Sequence, residues 1–138
     1  MAYSGYLIKV GGSLGTPLPM KYIKLDGYNI TPNQRMETEA GRSVTGLLHR
    51  STTAHTSTKI EINTPYMTNS DVANMMTLFR NAWTNVQERK LTLEYYDMET
   101  DTYKTGDFYM PDTKFEIDHI EQTNIIIYKE IRIAFIEY

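Results

Sequence analysis

Cysteine is absent from the 138 residues. Disulfides, thiolate catalysis and Cys-ligated metals are therefore excluded, and the composition fits manufacture in a reducing cytosol. No sign of charge dominates: 14 Lys and Arg against 17 Asp and Glu give a net charge of -3. That balance supplies no long-range attraction to phosphate backbones, and no Lys/Arg cluster forms a local basic patch, so specific nucleic-acid binding is not expected. Long apolar runs are missing as well, and the opening Met1-Ala2-Tyr3-Ser4-Gly5 has no basic segment leading into an apolar stretch. The chain is expected to be soluble, not secreted and without a membrane partner. Tryptophan occurs once and phenylalanine four times, against eleven tyrosines. Tyrosine suits half-buried strand positions and protein interfaces, since its ring packs while its hydroxyl stays wet or bonded.

What the chain does have is alternation. The phrase Thr58-Lys59-Ile60-Glu61-Ile62-Asn63 returns as Thr113-Lys114-Phe115-Glu116-Ile117-Asp118, and a period of two sets apolar side chains on one face of a strand and polar ones on the other. Further strands are expected at residues 6–10, 20–25 and 28–30, the last running up to Pro32, with a turn at Asp26-Gly27. Residues 91–96 and 103–110 read as a hairpin around the polar loop 97–101, and strands are expected at 114–120, 125–128 and 131–138. One helix stands out, because Val72, Met75, Met76, Phe79 and Trp83 recur at offsets of three and four and make one packing face. Thr68, Asn69 or Ser70 is placed to cap it, and its end is expected near Thr84 or Asn85. The length suits one β-rich domain over residues 1–138, of the α+β class and mainly antiparallel: a β-sandwich or partly closed barrel with one flanking helix.

Residues 33–57 differ in character. Apolar residues thin out among Thr, Ser, Arg and His, so the stretch supplies little core, and structureless loops of that length are uncommon inside compact domains. Two polar strands joined near Glu39-Ala40-Gly41 would make an extended hairpin, either a surface feature or an assembly arm, with Arg35, Glu37, Arg42, Leu47, Leu48, His49 and Arg50 as its candidate contact residues.

No catalytic set emerges. Asp97, Glu99 and Asp101 have the acidic spacing that opens a calcium loop, but Thr102 stands where that loop needs glycine and Phe108 where it needs its final carboxylate. His49 and His55 lie six residues apart, roughly 20 Å along an extended strand, too far for one metal ion. Gly11-Gly12-Ser13-Leu14-Gly15 lacks the Lys-Ser/Thr continuation of a phosphate loop. No nucleophile elbow or metal set is present, so neither enzymatic activity nor a cofactor is expected.

The short first strand, the turn Leu18-Pro19-Met20-Lys21-Tyr22 and the polar arm from Gln34-Arg35 to His49-Arg50 resemble small proteins of phage and prophage tail modules. Thr58 to Pro65, the single helix, Glu94-Tyr95-Tyr96-Asp97, Thr105 to Pro111 and the closing Arg132-Ile133-Ala134-Phe135-Ile136-Glu137-Tyr138 are similar to an uncharacterised family of short tail or baseplate proteins. The resemblance implies a structural virion component with a tube-type sandwich or barrel, made in the bacterial host cytoplasm. Its partners would be other tail proteins, and its own copies in a ring of three or six. The alternative is a small ligand- or carbohydrate-binding module using Tyr95, Tyr96, Tyr103 and Tyr109, although alternation sets Tyr95 and Tyr96 on opposite faces.

Overall fold

The computed structural model of the chain describes residues 3–35, 37–42, 46, 48–52 and 56–138, with 37–42 and 48–52 described as backbone. The strands β1 (Ile8–Val10), β2 (Thr16–Pro17), β3 (Tyr28–Gln34), β4 (Glu37–Arg42), β5 (Leu48–Thr52), β6 (Ser57–Asn63) and β7 (Met67–Thr68) precede the helix α1 (Asn69–Ala82). After it come β8 (Lys90–Asp97), β9 (Thr102–Tyr109), β10 (Ile117–Gln122), β11 (Ile125–Tyr128) and β12 (Arg132–Glu137). The main sheet runs β2-β1-β8-β9-β12-β6-β3, a smaller one runs β10-β11-β7, and β4 pairs with β5. All pairings are antiparallel. The expected α+β class stands, in its open form: the main sheet ends in β2 and β3 and does not close into a barrel.

Alternation decides the faces of this sheet. Leu91, Leu93 and Tyr95 of β8 are buried, as are Ile60 and Ile62 of β6, Ile133 and Phe135 of β12, Phe108 of β9, and Ile8 and Val10 of β1. The helix covers this inner face with Val72, Met75 and Phe79 buried, and with Met76 and Trp83 partly buried beside them. Phe79 meets Phe135 edge-on, ring centroids 5.5 Å apart. Thr68 caps the helix by accepting a hydrogen bond from the Asp71 amide at 3.3 Å, and Asp71 places a negative charge in the first turn, where the helix dipole favours it. The helix ends at Ala82, two or three residues earlier than the sequence pattern suggests, because Trp83 turns to an extended backbone and donates its indole N–H to Met110 Sδ at 3.4 Å.

Other departures have local causes. Residues 20–25 do not form a strand: Met20–Tyr22 is a single 3-10 turn, with Tyr22 and Ile23 buried. The chain then folds back tightly on β6, as Lys24 N–H donates to Asn63 O and Asn63 N–H to Gly27 O, both at 2.8 Å. Only glycine fits at Gly27, where a Cβ would lie 2.5 Å from the Asn63 carbonyl oxygen. Pro32 does not end β3. The strand is at the sheet edge, where the missing N–H costs little, and it passes the proline through a register shift between Thr31 and Gln34, with Asn33 at φ 52. The strand expected from Lys114 begins only at Ile117.

The outer face of the main sheet is polar. Arg132 donates to Glu61 through Nη2 at 2.7 Å and Nε at 3.2 Å, and Lys59 Nζ lies 2.9 Å from the same carboxylate. Arg132 first, then Lys59, hold the Glu61 carboxyl down to about 2 from an ordinary 4.5. A carboxyl depressed on folding adds stability in full above its unfolded value, and that contribution fades as pH falls through the folded value. Glu61→Gln is therefore expected to cost about 1 kcal/mol at neutral pH, a partly exposed pair being worth no more. The variant should also lose less stability than wild type between pH 4.5 and pH 2, which denaturant titration at several pH values measures.

Candidate assembly surfaces

The stretch expected as an arm is a hairpin. β3 and β6 pair as far as Gln34 opposite Ser57, and β4 and β5 continue the same course from Glu37 opposite Thr52 to Arg42 opposite Leu48. Its turn lies beyond Arg42, with Gly46 at φ 88, and not at Glu39-Ala40-Gly41, which belong to β4. In the register Arg42 lies opposite Leu48, Gly41 opposite His49 and Ala40 opposite Arg50. Arg35 lies just before the hairpin and is exposed, whereas Leu47 and His55 fall outside the described residues.

A second surface was not anticipated. All six residues of β10 are exposed, and Phe115, Ile117 and Ile120 show 42%, 51% and 62% of their surface. The repeated phrase at 113–118 thus behaves unlike its twin: β6 lies between β12 and β3, whereas β10 pairs, among the described strands, with β11 alone. Asn69 at the helix start fastens this hairpin to the body, donating through Nδ2 to Asn124 O at 3.2 Å and accepting from Ile126 N–H at 3.3 Å. A signal was present in the sequence. The step of three from Ile117 to Ile120 breaks the period of two, and the register shifts there. Lys114 pairs with Glu116 at 2.8 Å, and His119 sits between Asp118, 2.5 Å from Nδ1, and Glu121, 3.3 Å from Nε2. The Asp118 carboxylate first, then Glu121, raises the imidazole above its ordinary value.

The tyrosines divide between core and surface. Tyr95 is buried edge-on against Phe108, centroids 5.4 Å apart. Tyr96 and Tyr103 lie on the outer face, where Tyr103 stacks on Tyr6 at 4.6 Å. Tyr109 instead packs against Tyr138 at 5.6 Å. The outer hydroxyls are already engaged: Tyr6 donates to Glu94 Oε1 at 2.5 Å, Tyr103 to Tyr6 O at 2.6 Å, and Tyr96 to Asp101. The bond to Glu94 pushes the Tyr6 phenol up to about 12.

The acidic loop is likewise committed to internal bonds. Asp97 is fully buried, accepts from the Glu99 amide at 2.9 Å and pairs with Lys104 Nζ at 2.8 Å. Burial alone would raise its pKa, but Lys104 and the Glu99 amide outweigh it and hold the carboxyl below the ordinary value. Among the described residues, no three His, Asp or Glu side chains converge as a metal site. A pocket of about 270 Å³ opens beside the helix end between Met76, Trp83, Met110 and Phe115, and Arg89 and Asp112, also lining it, pair at 2.6 Å. No described helix is long and apolar enough to cross a membrane.

The sequence profile of a family of unknown function (DUF6711) matches residues 1–138. No curated protein sequence matches the chain. Among solved structures, the fold is similar to a chain from the tail of an empty GTA particle, refined helically with C6 symmetry. The identity is 13% and the TM-score 0.56, over 99% of this chain and 95% of that one. At that identity the likeness is one of fold.

Proposed function

We propose that this chain, which belongs to the DUF6711 family, is a structural subunit of a phage-like tail that works by binding copies of itself and neighbouring tail proteins. The observation that carries the reading is the shared fold over nearly the whole length of both chains with a component of a sixfold tail. The residue-level features support it. A hairpin that, among the described strands, pairs only with itself, and a strand whose residues are all exposed, are surfaces that a repeating assembly can cover. On this reading the chain is one β-rich domain, carries out no catalysis, and resides in the virion, as part of the tail tube or of the baseplate end.

The test is the mass of the purified chain in solution, by light scattering across a concentration series. A closed trimer or hexamer is the expected result. A strict monomer at every concentration would overturn self-assembly and turn attention to the pocket beside Trp83, the feature that best serves a ligand-binding module.

A further inference from the structure

Among the described residues, Leu14 and Leu25 hold their side chains wholly in water, at 100% and 108% of full exposure. An exposed leucine alone signals little. Leu25, however, stands at the tip of a turn fixed by three backbone hydrogen bonds: Gly27 N–H donates to Lys24 O at 2.9 Å, Lys24 N–H to Asn63 O and Asn63 N–H to Gly27 O. A side chain carried on so constrained a turn gives up little freedom when it meets a partner. Asp26 follows it with its side chain 82% exposed, because Lys24 turns mainly to Glu130, 2.8 Å away against 3.8 Å to Asp26.

The pocket beside the helix end has the converse shape. Met76, Trp83, Met110 and Phe115 give it an apolar wall, and its volume is about 270 Å³. A cavity of about 150 Å³ already takes a benzene-sized group, so a leucine side chain fits. Its charged lining is Arg89 and Asp112. Arg89 gives Nη1 to Asp112, which leaves the rest of its fork for a second carboxylate. It also stands at φ 53, a left-handed backbone that favours glycine, so the chain carries an arginine at this pocket on a strained residue.

We infer that Leu25 of one copy enters this pocket on a second copy, with Asp26 against Arg89. Leu14, between Ser13 and Gly15, has no acidic neighbour to make that pair. Knob and pocket are different surfaces of one chain, so the contact is heterologous, and head-to-tail contacts of that kind close into rings or run on as tubes. One side chain is too small to hold an assembly alone, so this seat orients the copies while larger surfaces supply the area. The inference rests on the tail-subunit reading and deepens it by naming two surfaces that meet.

Because the chain has no cysteine, an introduced pair reports on this contact. One full-length variant combines Leu25→Cys with Thr113→Cys in the pocket lining, and a control combines Leu14→Cys with Thr113→Cys. A disulfide forms where two Cα atoms come within about 7 Å. Under oxidant, the first is expected to give a ladder of linked copies on a non-reducing gel, and the control at least ~10-fold less. Leu25→Ala removes a side chain that is exposed in the single chain, so its unfolding midpoint should not move. Its association, by light scattering, is expected to weaken by about 10–100-fold, the worth of one buried leucine. Leu25→Ala protein that assembles like wild type, or cross-linking no stronger from position 25 than from position 14, would overturn the contact and leave the tail-subunit reading in place. A wild-type chain that never associates would overturn both.

Discussion

Phe79→Ala is expected to destabilise the chain by about 3–5 kcal/mol, the usual range for removing a fully buried aromatic ring. Phe79 is wholly buried on the helix face that lies against the main sheet, and its ring touches that of Phe135 on β12. The loss has two parts. Transfer of the ring from water is forgone, and a cavity opens between two elements that cannot collapse onto it, because hydrogen bonds to β6 and β9 hold β12 on both sides. Thermal unfolding should move down by roughly 10 °C or more for a chain of this length. Phe79→Leu keeps most of the volume and should lose less than half as much. A shift of only a degree or two for the alanine variant would mean that the helix is not packed on the sheet as described.

Deleting residues 37–53 is expected to leave a folded monomer and abolish oligomers. Gln34 already pairs with Ser57, so the five residues 35, 36 and 54–56 remain to close β3 onto β6, a length within the ordinary range for hairpin loops. The buried residues of the described core all lie outside the deletion. The unfolding midpoint should therefore stay within a few degrees of wild type, while the mass in solution falls to that of one chain. An unchanged assembly state in the deletion variant would remove the hairpin from the interface, and an unfolded product would show that it contributes to the core.

Strands and helix are legible in this sequence wherever one face of an element is buried, because burial is what imposes a periodicity. β8 and β6 follow their alternation closely, and the helix spacing picks out Val72, Met75 and Phe79, all of them buried. Legibility fails where hydrogen-bond geometry overrides pattern. Met20–Tyr22 carries strand-like residues yet turns, because the following segment must reach Asn63. Alternation at 113–118 promised a half-buried strand, but alternation reports two unlike faces and not what covers the apolar one. Along β10 the described chain covers it only in part, leaving Ile117 and Ile120 51% and 62% exposed. That gap is where the candidate surface lies, so the failure of the pattern and the functional proposal have the same physical origin.

The place of β12 in the main sheet sets a condition on biosynthesis. It is formed from residues 132–137 yet lies in the interior of the sheet, joined to β9 on one side and β6 on the other. Until the ribosome has released those residues, the nascent chain holds two separate pieces, β2-β1-β8-β9 and β6-β3, each with an apolar face and an unpaired inner edge. Contacts so distant in sequence form late and slowly, and open edges of that kind are where chains aggregate. A product truncated before β12 therefore has no complete main sheet.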